Sequence, residues 1–199
     1  MPVEQPTVDQ LIIGYARNVG DRLSATGSVT LVRSVNKNIL IDCGDPWNGG
    51  EILRKLSSLG LGTEDIHVVV VTHGHIDHCG NLSLFKDATF FMGGDIASEG
   101  TYSTIPEDSS VTLAPNVELL RSRGHTDHDI IVVVNNTERG RIVISGDIFE
   151  CANDDAIWKE VSRYPDLQEK SRSEIEDIAE WIVPGHGIMF KNPKNLNSS

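Results

Sequence analysis

Four consecutive valines, Val68–Val71, run directly into "THGHIDH", and no other stretch restricts the fold of this chain so sharply. A β-branched run without polar alternation suits a strand covered on both faces, which belongs at the centre of a layered α/β structure. Three histidines and an aspartate then fall within His73–His78. His73 and His75 are two residues apart, so on extended backbone they project to one side, whereas Asp77 and His78 begin the next turn and point elsewhere. Imidazoles and a carboxylate without thiolates suit Zn²⁺ or a similar divalent ion and leave a coordination position open to water.

One histidine in a turn is most often a polar turn residue and nothing more. Here the pattern recurs. "RGH" ends at His125, "ISGD" at Asp147 and "VPGH" at His186, each where a strand gives way to a glycine-linked turn. Loops at strand ends of a rigid sheet are where sites are assembled. His73, His75, Asp77, His78, His125, Asp147 and His186 are therefore the candidate metal ligands. One short segment can serve two neighbouring ions, and the two oxygens of Asp147 can bridge them.

The remaining sequence predicts strands at Leu11–Ala16, Ser28–Val35 and Asn38–Asp42, the last two joined by an Asn36-Lys37 turn. A helix follows over Glu51–Leu59, stopped by Gly60. After the strand His67–Val71 come a helix over Asp77–Leu84, a strand at Thr89–Met92 and a loop-rich stretch, Gly93–Pro115. Strands at Val117–Arg121, Asp129–Val134 and Arg141–Ser145 precede the longest predicted helix, Pro165–Glu180, with Leu167, Ile175, Ile178 and Ala179 as its apolar positions. Ile182–Val183 closes the pattern as a short strand. Two packed sheets with helices outside, a four-layer αββα arrangement, is the expected fold.

At 199 residues the chain is expected to form a single domain over 1–199, with about 190–199 a frayed polar tail. Three scattered cysteines, Cys43, Cys79 and Cys151, argue against a disulfide framework and fit a reducing compartment. With no basic n-region, no apolar h-region and no membrane-length apolar run, the expected location is cytoplasmic, with nuclear access open. The net charge of −12 opposes a general nucleic-acid-binding surface and leaves room only for a local site where metal ions supply positive charge.

Taken in order, "THGHIDH", "GH", "SGD" and "PGHG" resemble the metallo-β-lactamase superfamily, and the likeness extends back to "LIDCGDP" around Asp42. The resemblance implies an αββα sandwich holding two Zn²⁺ per chain, with Fe or Mn as other occupants. By that likeness His73, His75 and His125 hold one ion, Asp77, His78 and His186 the other, and Asp147 bridges. Asp42 occupies a position that supports ligands rather than coordinating. "LIDCGDPW", "LGLGTEDIHVVVVTHGHIDHCGNLSLF" and "SGDIFE" narrow the likeness to a branch for which the implied activity is endoribonucleolytic cleavage of histone pre-mRNA near its 3′ end, by a homodimer.

The chemistry expected is hydrolysis: paired ions lower the pKa of water from about 15.7 to about 7, Asp77 orients the nucleophile, and His128 is the candidate acid for the leaving group. His67 is expected to be structural, Cys79 to pack inside a helix, and Trp47 to cover the core. The turn after His125 reads Thr126-Asp127-His128-Asp129, whose carboxylates oppose a phosphate. The same ligands would serve a thioester or lactone hydrolase, and a subset would serve a single-iron persulfide dioxygenase. A non-enzymatic metal-binding module is disfavoured, because seven ligands for two ions leave open positions that a structural zinc does not need.

Overall fold

The computed structural model describes residues 5–107, 109–155 and 157–195. Strand β1 (Thr7–Ile12) is followed by the ribbon of β2 (Tyr15–Val19) and β3 (Arg22–Thr26), then by β4 (Val29–Ser34) and β5 (Lys37–Ile41). Helix α1 (Gly49–Ser58) leads to the valine strand β6 (Val68–Val71), the one-turn helix α2 (Ile76–Cys79) and β7 (Thr89–Met92). Strands β8 (Asp95–Ser98), β9 (Thr101–Thr104), β10 (Val111–Ala114), β11 (Val117–Arg121), β12 (Ile130–Thr137) and β13 (Gly140–Gly146) come next. Helices α3 (Ile157–Val161) and α4 (Pro165–Ile178) precede the last strands, β14 (Trp181–Pro184) and β15 (Phe190–Lys191).

These strands make two mixed sheets, ordered β1-β4-β5-β6-β7-β8-β9 and β10-β11-β12-β13-β14-β15. Side-chain alternation sorts them into layers. Val68 and Val70 of β6 face the second sheet, where they meet Val132 and Val134 of β12 and Ile142 and Ile144 of β13 in the central core. Val69 and Val71 face the other way, against Ile52 and Leu56 of α1 and Phe85. On the far side, Ile131, Val133, Val143 and Ile182 pack on Ile175 of α4 and on Ala179. Three apolar layers between four layers of secondary structure are the αββα sandwich that the sequence predicts. β6 is buried along its whole length, paired in parallel with β5 and β7.

Several local expectations are corrected. The β4–β5 hairpin closes Ser34 on Lys37, so its turn is Val35-Asn36, with Asn36 at φ 55°. The helix expected over Asp77–Leu84 is α2 followed by a separate 3₁₀ turn, Leu82–Phe85. Gly93–Pro115 holds β8, β9 and β10 rather than loops. Trp47 covers nothing, being 87% exposed. The buried face of α4 is Gln168, Ser171 and Ile175, while Leu167 and Ile178 are exposed. Residues 190–195 are anchored by β15 and by buried Asn192, whose Nδ2 donates to the carbonyls of Glu176 and Ala179. Residues 196–199 of the expected tail lie outside the described residues. Among the described residues no helix is long and apolar enough to cross a membrane.

Candidate metal centre

All seven predicted ligands converge where strands of both sheets end. His73 and His75 leave the end of β6, and Asp77 and His78 start α2. His125 lies in the β11–β12 loop, while Asp147 and His186 follow β13 and β14. The sheets meet here through the Ile130 amide, which donates to the Thr72 carbonyl at 2.9 Å. Two glycines permit the closeness. Gly146 takes φ +51° against the Thr72 side chain, and a Cβ on Gly185 would overlap Asp147 Oδ1.

His73, His75, His125 and Asp147 form one donor group, and Asp77, His78 and His186 another. In the first, His75 Nδ1 lies 2.9 Å from His73 Nε2 and 3.1 Å from His125 Nε2. Asp147 Oδ2 is 3.4 Å from His73 Nε2 and 3.3 Å from His125 Nε2. A tetrahedron with metal–nitrogen arms of 2.0–2.1 Å has edges of about 3.3 Å, the spacing found here. In the second group His78 Nε2 and His186 Nε2 stand 3.9 and 3.8 Å from Asp77 Oδ2. Asp147 reaches this group as well, with Oδ1 3.2 Å from His78 Nε2 and Oδ2 3.2 Å from His186 Nε2.

Unmet polar atoms concentrate at the same place. His78 Nε2, His125 Nδ1, Asp147 Oδ1 and Glu150 Oε1 are buried without a hydrogen-bond partner among the described residues. A buried polar atom left unpaired costs about 1–3 kcal/mol. A cation among these donors would satisfy His78 Nε2 and Asp147 Oδ1, so the donor set fits a metal on chemistry as well as spacing.

The surroundings hold the donors in place. Asp42, at φ 59° and buried, accepts from Thr72 N at 2.7 Å, from Thr72 Oγ1 at 2.8 Å and from His78 Nδ1 at 2.8 Å. Burial would lower both His78 and His186. The Asp147 carboxylate, joined at His78 by Asp42, instead holds His78 well above the usual imidazole range and His186 up to about 9. Burial pushes His125 down to about 3 against the pull of Asp147, with His73 and His75 adding to the depression. Burial would raise Asp147, yet His78, His73 and His186 hold it well below the carboxylate range.

The family assignment comes from comparison of the whole chain with known proteins. Residues 25–104 match the model of the metallo-β-lactamase superfamily. Metallo-β-lactamase domain-containing protein 1 of Xenopus laevis is 35% identical over 196 residues, which takes in 96% of this chain and 84% of that protein. The chain belongs to the metallo-β-lactamase superfamily. A metallo-β-lactamase-type structure from Thermotoga maritima superposes with a TM-score of 0.73 at 20% identity, over 94% of this chain and 100% of that one. A quorum-quenching N-acyl homoserine lactone lactonase superposes with a TM-score of 0.65 at 16% identity, over 100% of this chain and 96% of that one. This member of the superfamily is thus a metallo-hydrolase with clusters able to hold a metal ion.

Other residues marked in the sequence fall elsewhere. His128 is exposed and belongs to neither donor group. His67 Nδ1 accepts from the Asn38 amide at 3.1 Å, a structural contact at a strand end. Cys79 is half-buried, its Sγ donating to the His75 carbonyl. Asp129 is consumed within its own turn by Thr126 N and Oγ1, and Asp127 pairs with Arg163 and Tyr164. Those carboxylates therefore oppose a bound phosphate less than their sequence position suggests.

Glu150 and Gln168 are the residues that sequence reasoning missed. Glu150 lies close enough to Asp147 and His186 to form a third donor group with them. Burial raises its carboxyl to about 8, with the Asp147 charge acting in the same direction. Gln168, fully buried in α4, donates Nε2 to the Asp147 carbonyl at 2.8 Å and holds that turn. "SGDIFE" contains Glu150, but its spacing from Asp147 carries no ligand signal.

Proposed function

We propose that the chain is a dinuclear metal-dependent phosphodiesterase. His73, His75 and His125 would hold one ion and Asp77, His78 and His186 the other, with Asp147 shared. The observation that carries this reading is the position of Asp147, whose oxygens approach donors of both groups. A pair of divalent ions held by these residues would supply an activated water and charge stabilisation for an in-line displacement. Zn²⁺ suits the donor types, five imidazoles and two carboxylates.

The protein's own residues do the rest. Asp77 is less buried than His78 and His186, the other donors of its group, so its carboxylate would be reachable by the attacking water, to accept its proton and aim the lone pair at phosphorus. The Asp42 network keeps His73 and His78 from rotating away. His128, exposed on the turn that carries His125, is assigned protonation of the leaving oxygen. RNA cleavage, with histone pre-mRNA as the expectation from the motifs, is the finer form of this proposal. Given the net charge, RNA would be gripped at the centre and by few contacts elsewhere.

A second reading has one observation in its favour. Leu82, Phe90, Met92, Ala97 and Tyr102 line a pocket of about 860 Å³ that also touches His128. Met92 Cε lies 3.8 Å from where a Cβ on Gly74 would stand, between the two motif histidines. An apolar pocket there suits the acyl arm of a thioester or lactone. Zinc-loaded protein assayed on stem-loop RNA and on medium-chain lactones separates the readings, with Asp77→Ala as control. RNA cleavage that disappears in the variant supports the phosphodiesterase. Lactone turnover without RNA cleavage supports the acyl hydrolase.

A further inference from the structure

In a neutral imidazole that donates one nitrogen to a cation, the other nitrogen carries the proton and needs an acceptor. Three of the five histidines of the centre meet this requirement within the structure, and a fourth, His75, faces solvent. His73 Nδ1 lies 3.1 Å from Thr72 Oγ1, whose own proton is committed to Asp42, so the hydroxyl oxygen accepts. His78 Nδ1 donates to Asp42, and His186 Nδ1 faces the Thr26 carbonyl at 3.1 Å. His75 presents Nδ1 to the other ligands, and its exposed ring leaves the remaining nitrogen to water.

His125 is the exception. Its Nε2 faces the donor group, while Nδ1 is buried without a hydrogen-bond partner among the described residues. Opposite, at 3.9 Å, is Glu150 Oε1, also buried and also without a partner. The two unmet atoms are chemically complementary. We infer that Glu150 accepts the Nδ1 proton of His125 and so orients that ring toward the ion, a positioning role that rests on the metal-centre reading above.

The backbone of Glu150 is already held. Its amide donates to Asp154 Oδ2 at 3.0 Å, and its carbonyl accepts from the His186 amide at 2.8 Å. Only the side chain has to adjust, by about 1 Å, to reach the roughly 2.7–3.2 Å of an N–H···O hydrogen bond. Glu150 Oε2 lies 3.9 Å from His186 Nε2, so the competing role is that of a direct ligand to the other ion.

The test is competition of the full-length protein against a chromophoric chelator for zinc, resolving both ions, with Glu150→Gln, Glu150→Ala and His125→Ala. The parent is expected to bind two zinc ions. Glu150→Ala should weaken the ion lost in His125→Ala by about 10–100-fold and leave the other within twofold, with Glu150→Gln intermediate. Should Glu150→Ala fail to fold, ¹⁵N–¹H spectra of the zinc-loaded parent decide. They should show His125 ligating through Nε2 with a slowly exchanging Nδ1–H. Parent-like affinity in Glu150→Ala, weakening confined to the His186-side ion, or ligation through His125 Nδ1 overturns the inference. A parent that binds no zinc defeats the metal-centre reading itself.

Discussion

Asp42 shows how one residue outside the donor groups can govern them. It sits in the left-handed region, which few non-glycine residues occupy, and accepts three hydrogen bonds that orient His78 directly and His73 through Thr72. Asp42→Ala is predicted to lower zinc affinity by about 10–100-fold, read by chelator competition, with every ligand still present. Next to it, burial pushes the Cys43 thiol up to about 12. Iodoacetamide on the native protein is therefore expected to spare Cys43, and mass spectrometry should find it labelled only after unfolding. The donor residues of the clusters were legible because each announces itself locally, by motif spacing or by a glycine-linked strand end. Glu150 was not legible, because His125, 3.9 Å from it, is brought there only by the folding of the second sheet. Trp47 misled for a related reason: an aromatic beside "DCGDP" reads as cover, yet nothing in its sequence context reveals which way the loop turns.

Helix α4 illustrates an element whose pattern is only half right. Of its expected apolar positions Ile175 and Ala179 are buried and Leu167 and Ile178 exposed, and the docking face also carries Gln168 and Ser171, which bond to the carbonyls of Asp147 and Arg123. The helix anchors the turns of the centre with polar bonds as well as packing. Gln168→Leu should cost about 1–3 kcal/mol in urea unfolding of the metal-free protein, because buried carbonyls lose their donor. No loss there would show that the Asp147 turn is held by other means. The strands of the layers were readable where both faces or alternate faces are apolar, as in β6, β12 and β13. Strands β8 and β9 were missed, and β2 was caught only at Tyr15–Ala16 within the strand expected over Leu11–Ala16, because "YARNV", "DIAS" and "TYST" bury little on either side and carry no period to detect.

Across the whole molecule, two sheets that differ in sequence position are joined by one set of donors. Metal should therefore stabilise the sandwich as a unit, by about 4 kcal/mol at free zinc 1,000-fold above Kd, and a chelator should lower the melting temperature. Loading should also release protons. His186 is held up to about 9, so it is protonated near pH 7.5 without metal, and coordination requires a neutral ring; Asp147 and Asp42 shift His78 in the same direction. Apparent zinc affinity is thus predicted to fall as pH drops, and calorimetry in buffers of different ionisation enthalpy should record net proton release. The most direct test of the shared centre is the zinc content of purified protein by native mass spectrometry, compared across parent, His186→Ala and Asp147→Ala. Two ions in the parent, one in His186→Ala and weakened binding of both in Asp147→Ala are predicted. A parent that takes up a single ion, or an Asp147→Ala variant that keeps two at parental affinity, would contradict the account.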